Sequence, residues 1–369
     1  DYEAARESLG KLDYGEVKAK GIPSRPNHAL VRAAFYTKHY PLARTAALRL
    51  RARPRAIWLL LIDGPFRKDS PNAAPGLEGL SPAGSYRVLT DVGIPAKALD
   101  DLEDKLAQAT PAERERKLIQ VRKRHKVLKV TGEILEAALK AYRSLLKGER
   151  RKAIYPSVYV FRDKEAFQRF SAAIGAGSTE HTLGYYWGTY RIMVFYDRQA
   201  GKASGLSTDT IEVLLHETFH QWFDLQVRHS PPWFNEGMAE YFAIGAKITS
   251  KSLSYGVVPT THPSRLDNIR WSLQGEKVSG FPSPWSLRRL LLADQGEFMT
   301  PSQSAVNYAH GWSFIHYLGS TKSGRKRLVA YFRELTSGAT QKEAFNSVFR
   351  ILDLDKVTAA WRHYVGKLR

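Results

Sequence analysis

The chain has 369 residues, 43% of them hydrophobic, and its 56 Lys and Arg against 36 Asp and Glu give a formal charge of +20. That length suits two domains, or one large domain with an appendage. There is no cysteine, which excludes disulfides, thiolate nucleophiles and Cys-bound metals, so any zinc site must use His and carboxylates.

Residues 1–110 are the least readable part. Ala29 to Leu50 has helical texture, whereas Ala56 to Asp63, around the apolar run Ile57 to Ile62, reads as a buried strand. No apolar run nears the roughly 20 residues of a membrane helix, so no transmembrane segment is expected. The Pro-, Gly- and Ser-rich stretch Pro65 to Ser85 reads as an irregular connection, and Tyr86 to Thr90 as another strand. Thr110-Pro111-Ala112-Glu113 has capping-box spacing with Pro at the first helical position, so a helix is expected to about Arg124. Leu135, Ala138, Tyr142 and Leu145 mark a second helix over Glu133 to Leu146, ended by Gly148. The main boundary is placed near residues 148–155.

Beyond it the texture changes. Ser157 to Phe161 is β-rich, Lys164 to Ile174 is helical, and Tyr190 to Tyr196 is the clearest strand in the chain. The aromatic cluster Tyr185, Tyr186, Trp187 and Tyr190 suits a substrate cleft, core packing or a hairpin tip. After a loop at Gly201 to Ser207, Asp209 and Glu212 form a capping pair opening a helix to about Val227. Four helices close the chain, at about 304–319, 324–336, 340–350 and 353–368.

The helix after Asp209 contains His216-Glu217-Thr218-Phe219-His220. A spacing of four puts both imidazoles on one face, one turn apart, where they can share a zinc ion. Glu217 is rotated by roughly 100° from His216, beside a metal-bound water rather than on the metal. A catalytic zinc needs a third protein ligand and an open position. Pro231-Pro232-Trp233-Phe234-Asn235-Glu236-Gly237 supplies Glu236 on a new helix, with Glu240 one turn later. A carboxylate there can accept the remaining ring N–H of a ligand His, fixing its tautomer.

His216-Glu217-Thr218-Phe219-His220-Gln221-Trp222-Phe223 with Trp233-Phe234-Asn235-Glu236-Gly237 resembles the zinc site of the gluzincins, the thermolysin-like and aminopeptidase-N-like metallopeptidases. The resemblance covers roughly residues 150–369; Asn307-Tyr308-Ala309-His310-Gly311-Trp312 and Trp361-Arg362-His363-Tyr364 extend it towards uncharacterised bacterial members. It implies zinc held by His216, His220 and Glu236, with Glu240 behind them and Glu217 as general base for the zinc-bound water. It also implies an oxyanion donor, for which Tyr308 is the first choice and His310 the second. His316 reads as structural. The implied fold is α+β and zincin-like: a small mixed sheet whose edge strand is Tyr190 to Tyr196, an active-site helix and a C-terminal helical subdomain. Residues 151–369 form this peptidase domain, and 1–150 a mixed α/β region of unknown role.

Two departures matter. The gap between His220 and Glu236 is three residues shorter than in the aminopeptidase-N type, and no Gly-x-Met-Glu-Asn motif precedes it. Both favour an endopeptidase acting on peptide or protein substrates. Another amide, such as a cell-wall crosslink, stays open.

The positive charge is spread, +11 over residues 1–150 and +9 over 151–369, and is densest at Arg114 to Lys129. It suits either a solvated face or attraction to an anionic polymer or envelope surface. The alternative function is therefore a catalytically weak or inactive relative that binds such a surface. A chain opening on Asp1 rather than Met reads as processed, so a secreted or periplasmic, cell-envelope location is expected.

Overall fold

The structure is a computed structural model, and it describes residues 28–36, 39–48, 50–63, 77–92, 110, 113, 125–148, 156–197, 199, 205–249, 252–259 and 264–369. The chain divides into two compact units, Asp1–Gly132 with Lys152–Thr210, and Glu133–Arg151 with Ile211–Arg369. The architecture is mixed α+β, with a small sheet in the first unit and mostly helices in the second.

The first unit opens with α1 (His28–Tyr36), α2 (Tyr40–Ala47) and α3 (Ala52–Asp63). The strand expected at Ala56 to Asp63 is thus the body of α3. Its apolar run is rich in Leu, which suits a helix, and Pro54 lies in the first turn, where no backbone N–H is needed. The helix is also held from outside at its C-terminal end. The buried Arg87 guanidinium donates to the Leu61 and Ile62 carbonyls at 3.2 and 3.0 Å, and Tyr159 Oη donates to the Leu61 carbonyl at 2.8 Å. These donors satisfy carbonyls that a helix end leaves orphaned.

The sheet comprises β1 (Leu77–Leu80) and β2 (Arg87–Thr90), and, after α4 (Lys126–Leu146), β3 (Ser157–Phe161), then α5 (Lys164–Ile174), β4 (Gly184–Trp187) and β5 (Ile192–Tyr196). Its order is β1-β2-β3-β5-β4. The β2–β3 and β3–β5 pairs are parallel, and the two outer pairs antiparallel. Every residue of β2, β3 and β5 is buried, as in strands covered on both faces. Two expectations are corrected here. β5 is not an edge strand: Val194 pairs with both Tyr159 and Tyr185, and the edge falls to the aromatic β4. β1 lies within the stretch expected to be irregular, because its turn, Ser81 to Ser85, carries the Pro and Gly signal. There the Ser81 N–H donates to the Tyr86 carbonyl and the Tyr86 N–H to Ser81 Oγ, both at 3.0 Å. Of the aromatic cluster, Tyr190 meets Trp58 and Trp187 edge-on or tilted, which is core packing.

The expected helix at 110–124 lies outside the described residues apart from its first contacts. The Thr110 N–H and hydroxyl both donate to Glu113 Oε2, at 2.9 and 2.8 Å.

The second unit holds most of α4, then α6 (Thr208–Asp224), which begins in the first unit, and α7 (Pro232–Ala243). A short hairpin follows, β6 (Lys247–Ile248) with β7 (Leu253–Ser254). Next come α8 (Arg265–Gln274), α9 (Glu276–Ser279), α10 (Leu287–Leu292) and α11 (Gln295–Phe298). The expected C-terminal helices are α12 (Ser304–Ser320), α13 (Lys322–Thr336), α14 (Gln341–Val348) and α15 (Leu354–Lys367). Their starts are capped by Thr321, Thr340 and Asp353, except for α12. The pair Asp209 and Glu212 does not form the expected capping box. Ser207 Oγ accepts the Thr210 N–H at 3.3 Å, and Glu212 accepts the Gly245 N–H at 2.9 Å, tying α6 to the end of α7.

The helices α7 and α12 cross at close quarters. A Cβ built on Gly237 would lie 2.8 Å from the backbone of Gly311, so only glycine allows this approach. Around it, Trp233 packs on Phe234, Phe314, Tyr331 and Phe349. Among the described residues, no helix is long and apolar enough to cross a membrane.

Candidate metal centre

α6 and α7 bring His216, His220 and Glu236 together. The two imidazoles project from one face of α6, as their spacing requires, and their Nε2 atoms are 2.9 Å apart. Glu236 Oε2 lies 3.4 Å from each of them. That oxygen is buried and receives no hydrogen bond. Pro231 and Pro232 start α7 without needing backbone N–H donors, which sets Glu236 in its second turn facing α6.

The other ring nitrogens decide what these atoms offer. His220 Nδ1 is 2.9 Å from Asn235 Oδ1, and His216 Nδ1 is 3.6 Å from Glu240 Oε1. Both partners are oxygen acceptors, so with the ring proton on each Nδ1 both Nε2 atoms can turn lone pairs to an ion, which would replace the proton now shared between them. Three electron-donating atoms therefore converge on one point. Donors about 2.0–2.2 Å from one ion in a tetrahedral site lie roughly 3.3–3.6 Å from each other. Two edges of this triangle meet that value and the third is slightly short. The residues fit a metal ion, held by His216, His220 and Glu236.

The electrostatics run the same way. Burial works against a charged His220, but the Glu236 carboxylate, with Glu217 and Asn235, raises its pKa to about 9. Burial likewise works against the charge on Glu236, yet His220 and His216 hold its carboxyl well below the usual range. This site favours positive charge between the imidazoles and carboxylate ionisation at Glu236, as a cation site must.

Glu240 is 6% exposed. Burial opposes its charge, but Arg265 holds its carboxyl below the usual range. The guanidinium of Arg265 donates to both carboxylate oxygens at 2.9 Å, a two-pronged geometry that fixes the carboxylate plane. Arg265 stands at the first position of α8, after Ser264, whose side chain forms a capping box with Asp267. Its guanidinium also sits 5.1 Å over the Tyr308 ring. Sequence reasoning missed Arg265, because nothing local links it to a glutamate 25 positions earlier. The contact of Asn235 with His220 is equally tertiary, and its only sequence signal is its place directly before Glu236.

The two candidate oxyanion donors part company on α12. Positions 308 and 310 are about 200° apart around a helix. Tyr308 faces the cluster: burial raises its phenol pKa first and the Glu236 carboxylate second, so it stays a donor through the neutral range. His310 faces the other way. It is wholly buried and stacked on Trp361 with ring centroids 4.4 Å apart, and neither ring nitrogen has a hydrogen-bond partner. Glu217 is half-buried, next in sequence to His216, and its charge reaches His220. His316 is structural, between Tyr364 Oη at 2.7 Å and the Gly256 carbonyl at 3.0 Å.

Residues 210–341 match the model of a family described as a protein of unknown function, DUF1570. The matched stretch contains every residue of the cluster, together with Arg265 and Tyr308. No curated protein matches the chain.

Proposed function

We propose that this protein is a zinc-dependent hydrolase of peptide bonds, of gluzincin type and acting as an endopeptidase. The observation that carries the reading is the triangle of His216 Nε2, His220 Nε2 and Glu236 Oε2. Two imidazole nitrogens and one carboxylate oxygen are the protein donor set of a catalytic zinc. Zinc bound there supplies Lewis acidity towards a carbonyl and makes water acidic near neutral pH.

The chain's own residues then divide the work. Glu217, one residue from a ligand but not part of the triangle, takes a proton from the attacking water and passes it to the departing amine. Tyr308 keeps its O–H and donates to the developing oxyanion. Asn235 and Glu240 hold the two imidazoles in the tautomer that leaves each Nε2 unprotonated. His310, turned away on α12, has no part in the reaction. The endopeptidase assignment rests on the missing Gly-x-Met-Glu-Asn motif, and secretion or an envelope location accompanies it.

Elemental analysis of protein made under zinc-replete conditions tests the reading, together with chelator-sensitive cleavage of casein. About one zinc per chain is expected. Glu217→Gln should keep the metal and lose roughly 10²–10⁴-fold in turnover. Protein without metal, or full turnover in Glu217→Gln, would refute it.

A further inference from the structure

A second site lies in the same unit and shares no residue with the metal cluster. One face of α13 and the end of α4 flank an open depression of about 630 Å³. Lys147, Lys322, Arg325, Lys326 and Arg333 line it, and among the described residues no acidic side chain does. With 56 basic residues in 369, ten lining positions would hold about one or two. None of the five has an acidic partner among the described residues.

These charges are held at a cost. Lys322, Arg325, Lys326 and Arg333 follow i, i+3, i+4, i+11 spacing, so they share one helix face, where like charges repel. Lys322 and Arg325 also stand at the N-terminal end of α13, which carries no acidic residue in its first turn and where the helix dipole disfavours cations. Arg325 is further pinned by donating to the Gly319 carbonyl at 2.6 Å. Lys147 adopts a left-handed backbone, φ 58°, which a side-chain-bearing residue rarely takes. Arg325 is tied to the fold by its bond to the Gly319 carbonyl, and Lys147 and Arg333 stand at helix C-terminal ends; what no acidic side chain among the described residues balances is their convergence with Lys322 and Lys326, which a multiply charged anion would.

We infer that this depression binds a compact organic anion carrying two or more phosphate groups. Its floor is partly apolar, with Leu145, Val329 and the ring of Tyr255, which suits a ligand with a ring or apolar body. Its volume falls within the roughly 300–1,000 Å³ of small-molecule sites. A compact ligand is favoured over a polymer, because among the described residues no further cation lines the adjoining depression. The adjoining depression of about 360 Å³ shares Lys147 and Arg333, and its other lining residues, among them Gln226, Phe332 and Thr336, are uncharged. Tyr255 also packs on Phe242 of α7, ring centroids 4.7 Å apart, so the site lies one ring away from the helix that carries Glu236.

Titration calorimetry of the full chain at about 0.15 M salt, with ATP and with inorganic tripolyphosphate as probes, tests this. Saturable binding of both is expected, tighter for ATP if its ring meets the apolar floor. His220→Ala should bind ATP as the parent does, which separates this site from phosphate held by a metal. Replacing Lys326 and Arg333 together by Ala should weaken ATP at least tenfold. The same charge change at Lys342 and Arg350, exposed on and just after α14, should weaken it less than twofold. The substituted residues are exposed, so both variants should fold, as melting by circular dichroism will show. Equal weakening by the two pairs, loss of binding in His220→Ala, or no saturable binding would each overturn the inference. So would heparin binding that the Lys326 and Arg333 pair leaves intact while ATP does not bind, since it would assign the charge to the surface at large.

Discussion

Two buried imidazoles in the helical unit meet opposite fates. At the α6–α7 crossing, His220 is pushed up to about 9; at the α12–α15 crossing, His310 is pushed down to about 3. Burial drives both towards the neutral form. Only His220 has a carboxylate aimed at it, and that reverses the sign. His310 has Trp361 on its face and the Arg362 charge nearby, so nothing opposes desolvation. The difference teaches that burial alone makes a histidine inert, and that convergence of partners fits it to hold a cation.

The comparison can be broken at three points. The largest effect is expected from His220→Ala. Removing one corner of the triangle should cut bound metal from about one per chain to below about one-tenth, read by elemental analysis, and abolish the rise in melting temperature on adding zinc. Full metal content in that variant would show that the triangle is not the site.

Arg265 comes next, because it holds the partner of His216 rather than a ligand. Arg265→Ala should lower zinc affinity by about 10–100-fold in a chelator competition, and Arg265→Lys should recover only part of it, since an ammonium cannot make the two-pronged contact. Unchanged affinity in both would leave Glu240 without a role in tuning the ligand.

The smallest effect is His310→Phe, which keeps a ring against Trp361. A histidine with a folded pKa near 3 and an unfolded value of 6.5 binds its proton only in the unfolded chain between those values. Stability contributed by the neutral ring is therefore complete above pH 6.5 and is lost as pH falls. The parent should lose about 2–3 kcal/mol more than the variant between pH 7 and 4.5 in urea melts. Parallel losses would mean that His310 is not held neutral in the fold.

Much of the cluster was legible because it is local. His216 and His220 are one helical turn apart, and Glu236 follows a Pro-Pro start that announces its own helix. The four C-terminal helices were equally open to reading, since their signals are also local. What escaped depends on tertiary placement. The apolar run Ile57 to Ile62 fits strand or helix by periodicity alone, and the donors Arg87 and Tyr159 that secure its helix end come from the sheet. Tyr190 to Tyr196 reads as a strand, but its interior position is set by β4, whose aromatic residues gave no pairing register. Tyr308 and His310 stood side by side as candidates until the helix turned them to opposite sides.

The contact between Gly237 and Gly311 carries a mechanical consequence. Glu236 directly precedes one glycine, and Tyr308 stands one turn before the other. The separation between ligand and phenol is therefore gauged by two backbones resting on each other, with no side chain between them to change rotamer. A contact of that kind is stiff: it resists compression steeply and leaves little slack. The loops around such a site can vary in length and sequence while the gauge stays constant, so the spacing between Glu236 and Tyr308 is kept apart from whatever those loops do.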